Sequence, residues 1–276
     1  MAYLANSEIE IINAQVPRGE IRHALFDFDG TISLIREGWQ QVMIPMMVEF
    51  LQQTPQHEPE DELTAYVTEI VDRTTGQQSI YQMIALRDEV VKRGGTPLEP
   101  LAYKHIYLDR LLARIAHRIQ GLKDGRIARE ALLVPGAEEM LRLLRARNVT
   151  CYLASGTDRH YVQDEAAALG VAPYFNGGIY GAVDDYKSYS KAMVIANILR
   201  THEISGARLV VFGDGYDEIE SAKAAGGIAV AVTTDEVHPG QLDAKKRARL
   251  IRAGADIVVP DFHESERLVA YLFCER

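Results

Sequence analysis

From residue 137 onward, short apolar runs alternate with amphipathic stretches, and that alternation leaves few folds open. The spacing predicts a helix over 137–146, a strand over 149–154, a helix beginning near Asp158, a strand over 178–182 and a helix over 191–200. It continues with a strand over 208–212, a helix over 217–225, a strand over 228–232, a helix over 241–253 and a strand over 256–259. Apolar strands separated by helices build a parallel sheet covered on both faces. Ligands of such sheets bind beyond the carboxyl ends of the strands.

The run His23-Ala24-Leu25-Phe26 reads as one more strand, yet the texture after Asp27 is helical. Trp39, Val42, Met43, Met46, Met47, Phe50 and Leu51 recur at the spacing of one apolar helix face, with Pro45 marking a kink. Leu63, Tyr66, Val67, Ile70 and Val71 repeat the pattern. Ile80, Met83 and Ile84 suggest a third helix, and Leu108, Leu111, Leu112, Ile115 and Ile119 a fourth, with Gly94-Gly95-Thr96-Pro97 between them. The expected fold is therefore α/β: a Rossmann-like, doubly wound parallel sheet from residues 1–32 and 134–276, carrying a helical insertion over 33–133. Ile9, Ile11 and Ile12 suit an edge strand or an arm.

Thirty Lys and Arg against 39 Asp and Glu give a net charge of −9, which excludes a general nucleic-acid binder and leaves room for a local basic pocket for one small anion. Cys151 and Cys274 make no disulfide framework, and a reducing compartment is expected. The first residues lack the basic and apolar regions of a signal peptide, and no charge-free apolar run is long enough to span a bilayer, so a cytoplasmic location is expected.

Chemistry concentrates where strands end. Asp27 and Asp29 follow the first strand; residues two apart in an extended chain point to one face, and Gly30 lets the backbone turn immediately afterwards. An acid pair before a glycine also occurs in plain turns, where Asp accepts backbone amides. The strand over 149–154 ends in Ser155-Gly156-Thr157, and that over 208–212 in Gly213-Asp214-Gly215-Tyr216-Asp217-Glu218. Lys191 opens the intervening helix. Together these supply two acids, a hydroxyl donor, a cation and further carboxylates.

This ordered set resembles the haloacid-dehalogenase superfamily, in its phosphotransferase branch, whose motifs run DxDGT, a terminal Ser or Thr, a Lys and a GDxxxD-like acidic segment. The resemblance spans about residues 24–261, and the insertion falls where that family carries its helical cap. It implies Asp27 as the nucleophile that forms an aspartyl-phosphate and Asp29 as the acid that protonates the leaving oxygen, its pKa raised by the neighbouring negative charge. A phosphate dianion among carboxylates calls for a cation, expected to be Mg²⁺. Its implied ligands are Asp27, the backbone carbonyl of Asp29 and Asp214, with Glu218 or its neighbour Asp217 supporting the metal or orienting Lys191. Ser155 and Lys191 would hold the phosphoryl oxygens, with Gly156 permitting the close turn. Lys187 stands as the alternative cation, and Ser155 could instead cap the following helix.

Substrate choice is expected in the cap. The turn Arg73-Thr74-Thr75-Gly76-Gln77-Gln78 offers Thr75 and Gln77 to sugar hydroxyls, or else simply caps helices, with Thr75 as the cap. Arg36 and Trp39 lie near the hinge, where Arg36 could meet the substrate. The expected activity is a Mg²⁺-dependent phosphatase for a small phosphate ester, a sugar phosphate or a phosphoglycolate-like acid. A sugar phosphomutase and a non-catalytic binding protein are the alternatives. A dehalogenase is disfavoured because halide departure needs no acid such as Asp29.

Overall fold

The computed structural model describes residues 2–275. Its centre is an eight-stranded sheet of β1 (Ala2–Tyr3), β2 (Glu10–Ile11), β3 (His23–Phe26), β4 (Thr150–Asp158), β5 (Gly178–Ala182), β6 (Leu209–Gly213), β7 (Ile228–Val232) and β8 (Ile257–Val259). The strand order is β1-β2-β8-β7-β6-β3-β4-β5, with β1 and β2 antiparallel at one edge and β3 to β8 parallel throughout. Ile9 and Ile11 are buried there, and the isoleucine segment contributes strand β2, which lies between β8 and the edge strand β1 rather than at the edge itself.

Side chains of β3 alternate between two cores, as a strand covered on both faces requires. Ala24 and Phe26 join one cluster with Met140, Phe212 and Phe262, whereas Leu25 joins the other with Val211 and Ile219. Phe26 stacks on Phe212 with ring centroids 4.5 Å apart. Helices α5 (Ala137–Ala146), α6 (Arg159–Ala168), α7 (Lys191–Thr201), α8 (Tyr216–Ala224), α9 (Ala244–Arg252) and α10 (Ser265–Leu272), numbered after the four of the insertion, cover the sheet.

The insertion holds α1 (Gln40–Gln52), α2 (Glu60–Thr74), α3 (Ser79–Lys92) and α4 (Pro100–Lys123), without a strand among its described residues. Pro45 lies within α1. The outgoing and returning chains run side by side: Leu34 donates to the Leu132 carbonyl and Val134 to that of Ile32, both at 2.9 Å, and Ser33 bridges to Leu133. Among the described residues no helix is long and apolar enough to cross a membrane.

Beyond one-residue shifts at element ends and the two-residue strand β1, which the sequence does not suggest, three elements differ from the sequence reading. Strand β4 continues beyond Ala154 to Asp158, because after an irregularity Asp158 pairs with Ala182 of β5. Helix α9 starts at Ala244 rather than 241, since the Asp243 carboxylate caps it by accepting from the Lys245 and Lys246 amides. Helix α10 was absent from the reading altogether.

Candidate active site

Sheet order places the site. β3 has β4 on one side and β6 on the other, so the chain leaves β3 in one direction and reaches its other neighbour later, opening a crevice at the carboxyl ends of the three strands. Asp27 extends β3 by donating its amide to the Phe212 carbonyl at 2.9 Å, and its side chain is buried.

Lys191, the first residue of α7, is equally buried, with Nζ 2.7 Å from Asp27 Oδ1 and 2.9 Å from Glu218 Oε2. A cation at a helix N-terminus is locally unfavourable, and these two carboxylates outweigh that cost, holding its pKa well above the usual lysine range despite burial. Ser190 caps α7 by accepting from the Met193 amide. Lys187 is exposed, its Nζ 5.9 Å from the Tyr186 ring centroid, and takes no part in the cluster. Of the two lysines, Lys191 is the one placed beside Asp27.

Glu218 is fully buried on α8 and has both oxygens engaged, Oε2 by Lys191 and Oε1 by the Gly215 amide at 2.6 Å. In this geometry it fixes Lys191 and the turn after β6, while its carboxylate stays close enough to Asp27 and Asp214 to share a cation with them. Asp217, beside it, is only partly buried.

Asp29 Oδ2 accepts from Thr157 Oγ1 at 2.9 Å and Ser155 Oγ at 3.3 Å, while Oδ1 is buried and makes no hydrogen bond. Its pKa is raised, mainly by burial, against Arg36 and the Thr157 hydroxyl, with Asp214 adding to the rise. The neighbouring negative charge expected from the sequence does contribute, through Asp214, but burial is the larger cause. Ser155 does not cap α6: its Oγ accepts from the Thr157 amide at 3.0 Å, and Asp158 occupies the cap position while pairing at 2.5 Å with Lys104 of α4.

Arg36 does not present a free guanidinium. It is buried and bound to Glu165 of α6, with Nη2 2.6 Å from Oε1 and Nε 3.1 Å from Oε2, and its Nε lies 3.8 Å from Asp29 Oδ1. It lines the pocket as a neighbour of Asp29 rather than as a waiting anion receptor. Thr75 and Gln77 also line the pocket with their polar groups engaged, Thr75 Oγ1 to the Val71 carbonyl at 3.0 Å and Gln77 Nε2 to Tyr216 Oη at 2.6 Å. Gln78 Nε2 reaches the carbonyls of Tyr189 and Tyr186 at 2.8 and 3.0 Å. The 75–78 turn therefore docks onto the core loops, and any Cβ at Gly156 would come within 2.6 Å of the Gln77 carbonyl oxygen.

Asp214 follows β6 and packs against Gly30, whose φ of 76° and absent Cβ are both required: a Cβ would lie 2.3 Å from Asp214 Oδ2. Behind it sits a group the sequence reading missed. Lys246 Nζ is 2.8 Å from Asp214 Oδ2, 3.1 Å from Glu236 Oε1 and 3.1 Å from the Thr234 carbonyl. Burial raises Asp214, but Lys246 and then Arg249 outweigh it, leaving its pKa below the usual carboxylate range. Nothing local marks Lys246, which reads as one of several basic residues on an amphipathic helix. Thr157, two residues after Ser155 in the same motif, is a further partner of Asp29 to which the sequence assigns no role.

Asp27, Asp214 and Glu218 bring carboxylate oxygens within 4.8 Å of one another, all buried. An all-oxygen set suits a hard divalent cation. Burial, Glu218 and Asp214 push Asp27 well above its ordinary range in spite of Lys191. Acid therefore exceeds resident cation at this point, which is the condition a bound cation relieves.

A family model described as haloacid dehalogenase-like hydrolase matches residues 21–226, and the chain belongs to that family. The fold resembles a haloacid dehalogenase-like hydrolase from Streptococcus pneumoniae, with 19% identity, TM-score 0.58, and 91% of this chain and 98% of the other covered. It also resembles a beta-phosphoglucomutase from Clostridium difficile, with 12% identity, TM-score 0.60 and coverage of 91% and 97%. A structure described as a predicted phosphoglycolate phosphatase from Haemophilus somnus has 16% identity, TM-score 0.57 and coverage of 90% and 98%. At these identities the likeness is one of fold. A comparison with curated proteins gives no sequence match.

Proposed function

We propose that the protein is a Mg²⁺-dependent phosphatase that hydrolyses a small phosphate ester through an aspartyl-phosphate on Asp27. One observation carries the reading: Lys191 grips the Asp27 carboxylate at 2.7 Å while Asp29, two residues on, keeps a buried oxygen that makes no hydrogen bond. A nucleophile with a fixed cation beside an acid with a spare oxygen is what phosphoryl transfer to a carboxylate needs.

In the first half-reaction an Asp27 oxygen attacks phosphorus as the ester P–O bond breaks. The departing alkoxide takes the proton held on Asp29, whose raised pKa keeps that proton available. In the second half, Asp29 accepts a proton from water as that water attacks phosphorus, releasing inorganic phosphate and restoring the Asp27 carboxylate. Ser155 Oγ and Lys191 Nζ donate to the transferring oxygens, and Glu218 keeps Lys191 in place. Asp27, Asp214 and the Asp29 carbonyl would hold Mg²⁺, which supplies charge neutralisation for the incoming dianion. Glu218 supports the lysine.

The test is a panel of phosphate esters assayed with Mg²⁺ and with chelator. Release of inorganic phosphate that depends on the metal and is lost in Asp27→Asn supports the proposal. Conversion of a sugar phosphate to its isomer without phosphate release would make the enzyme a mutase. Silence across the panel would favour a binding protein.

A further inference from the structure

The pocket lined by Asp27 and Lys191 runs on between the sheet and the insertion, with a volume of about 90 Å³ in all. Its walls toward the insertion are Trp39, Met43 and Leu108, with two polar groups set among them. Gln82 on α3 is 2% exposed; its Nε2 donates to the Thr74 carbonyl at 3.3 Å, which fixes the amide's orientation and leaves Oε1 buried without a partner. Tyr107 on α4 is also buried, and its hydroxyl makes no hydrogen bond among the described residues. A buried acceptor left unpaired is costly in a folded protein. Gln82 Oε1 is such a group on the pocket wall, with the Tyr107 hydroxyl beside it, and it points to a ligand that satisfies it.

From this arrangement we infer that the ester's leaving group is a small uncharged polyhydroxy alcohol, with Gln82 Oε1 accepting a hydrogen bond from one of its hydroxyls. The inference rests on the phosphatase reading and narrows it. Tyr107 supplies a second neutral partner, and Met43, Leu108 and Trp39 cover the carbon chain. A second anionic group has no place here. The two cations lining the pocket are Lys191, held by Asp27 and Glu218, and Arg36, held by Glu165. A carboxylate or distal phosphate would instead face the Gln82 carbonyl oxygen and the acids Asp29 and Asp158, oxygen against oxygen in a buried space. Phosphoglycolate-like acids and sugar bisphosphates are thereby disfavoured, and with the latter the mutase alternative, whose intermediate carries two phosphates.

The experiment compares kcat/KM for erythritol phosphate, butyl phosphate, phosphoglycolate and a hexose bisphosphate with Mg²⁺. Erythritol phosphate is expected to exceed each of the others by about tenfold or more, the discrimination that an unpaired buried polar group imposes. In Gln82→Leu, and in the closer-shaped Gln82→Met, the ratio of erythritol to butyl phosphate falls about tenfold, a quantity that a general loss of folded enzyme does not move. An unchanged ratio in both variants, or phosphoglycolate or the bisphosphate as the preferred substrate, would overturn the substrate class while leaving the phosphatase reading standing. Failure of the wild type to release phosphate from any of the four would overturn that reading and this one together.

Discussion

The two ends of β3 bury ionisable side chains in opposite ways. At its start His23 is 6% exposed, with Nδ1 3.1 Å from the Tyr152 hydroxyl, which in turn meets His202 Nε2 at 2.9 Å. Burial, with His202 adding to it, lowers the His23 pKa from 6.5 to about 4, so the ring is neutral. Just past its end, Asp27 is as deeply buried, but it is paired with Lys191, which Glu218 shares, and the Asp214–Lys246 pair lies close by. A protein core normally avoids a buried charge by neutralising it, and the amino end does so. Keeping a charged cluster at the carboxyl end costs stability, which identifies that end as the one shaped by chemistry.

The contrast is broken most severely at Asp27. Asp27→Asn should lower kcat by roughly 10³-fold or more, the scale of removing a nucleophile. In chelator the same variant should raise Tm at neutral pH. The sign follows from the raised pKa: an acid whose folded pKa exceeds the unfolded 3.8 stabilises the fold at low pH and loses that contribution as pH rises. A lower Tm would mean that Asp27 is stabilised by its setting.

Lys191→Met removes the shared cation and leaves Asp27 and Glu218 facing each other without one. A loss of about 3–5 kcal/mol in denaturant unfolding is expected, together with loss of turnover. Lys246→Met acts one layer further back. It frees Asp214 from its tether, and calorimetry should find Mg²⁺ affinity weakened about 10–100-fold, the usual scale for groups that orient a metal's ligands.

The amino end gives the smallest effect. With its folded pKa lowered, His23 contributes stability that is complete above pH 6.5 and is lost as pH falls toward about 4. His23→Phe should flatten that part of the Tm profile by about 2–4 °C, corresponding to roughly 1 kcal/mol. A parallel pair of profiles would show that folding leaves the His23 pKa unchanged.

The motif residues were legible because chemistry had placed them at strand ends, and apolar strands such as β5 and β7 are continuous enough to be read directly. What escaped the sequence was long-range pairing. Arg36 looked like a free cation because Glu165, 129 positions away, is invisible to local pattern. Lys246 looked like a solvated helix residue until the β7–α9 connection carried it behind Asp214. Gln82 sits on an otherwise ordinary amphipathic helix, and only the closing of α3 over the strand ends leaves its carbonyl oxygen unpaired in the pocket. The length of β4 depended on its register with β5, which no single segment encodes.

The central claim is the covalent role of Asp27, and acid-quenched mass spectrometry tests it directly. Asp29→Asn, mixed with Mg²⁺ and an aryl phosphate whose leaving group needs no proton, should form the intermediate but discharge it slowly, for want of a base to take the proton from water. The account predicts the mass of one phosphoryl group on the peptide that contains Asp27. Release of the aryl alcohol with that peptide unmodified, or with the phosphoryl group on Ser155, would contradict it.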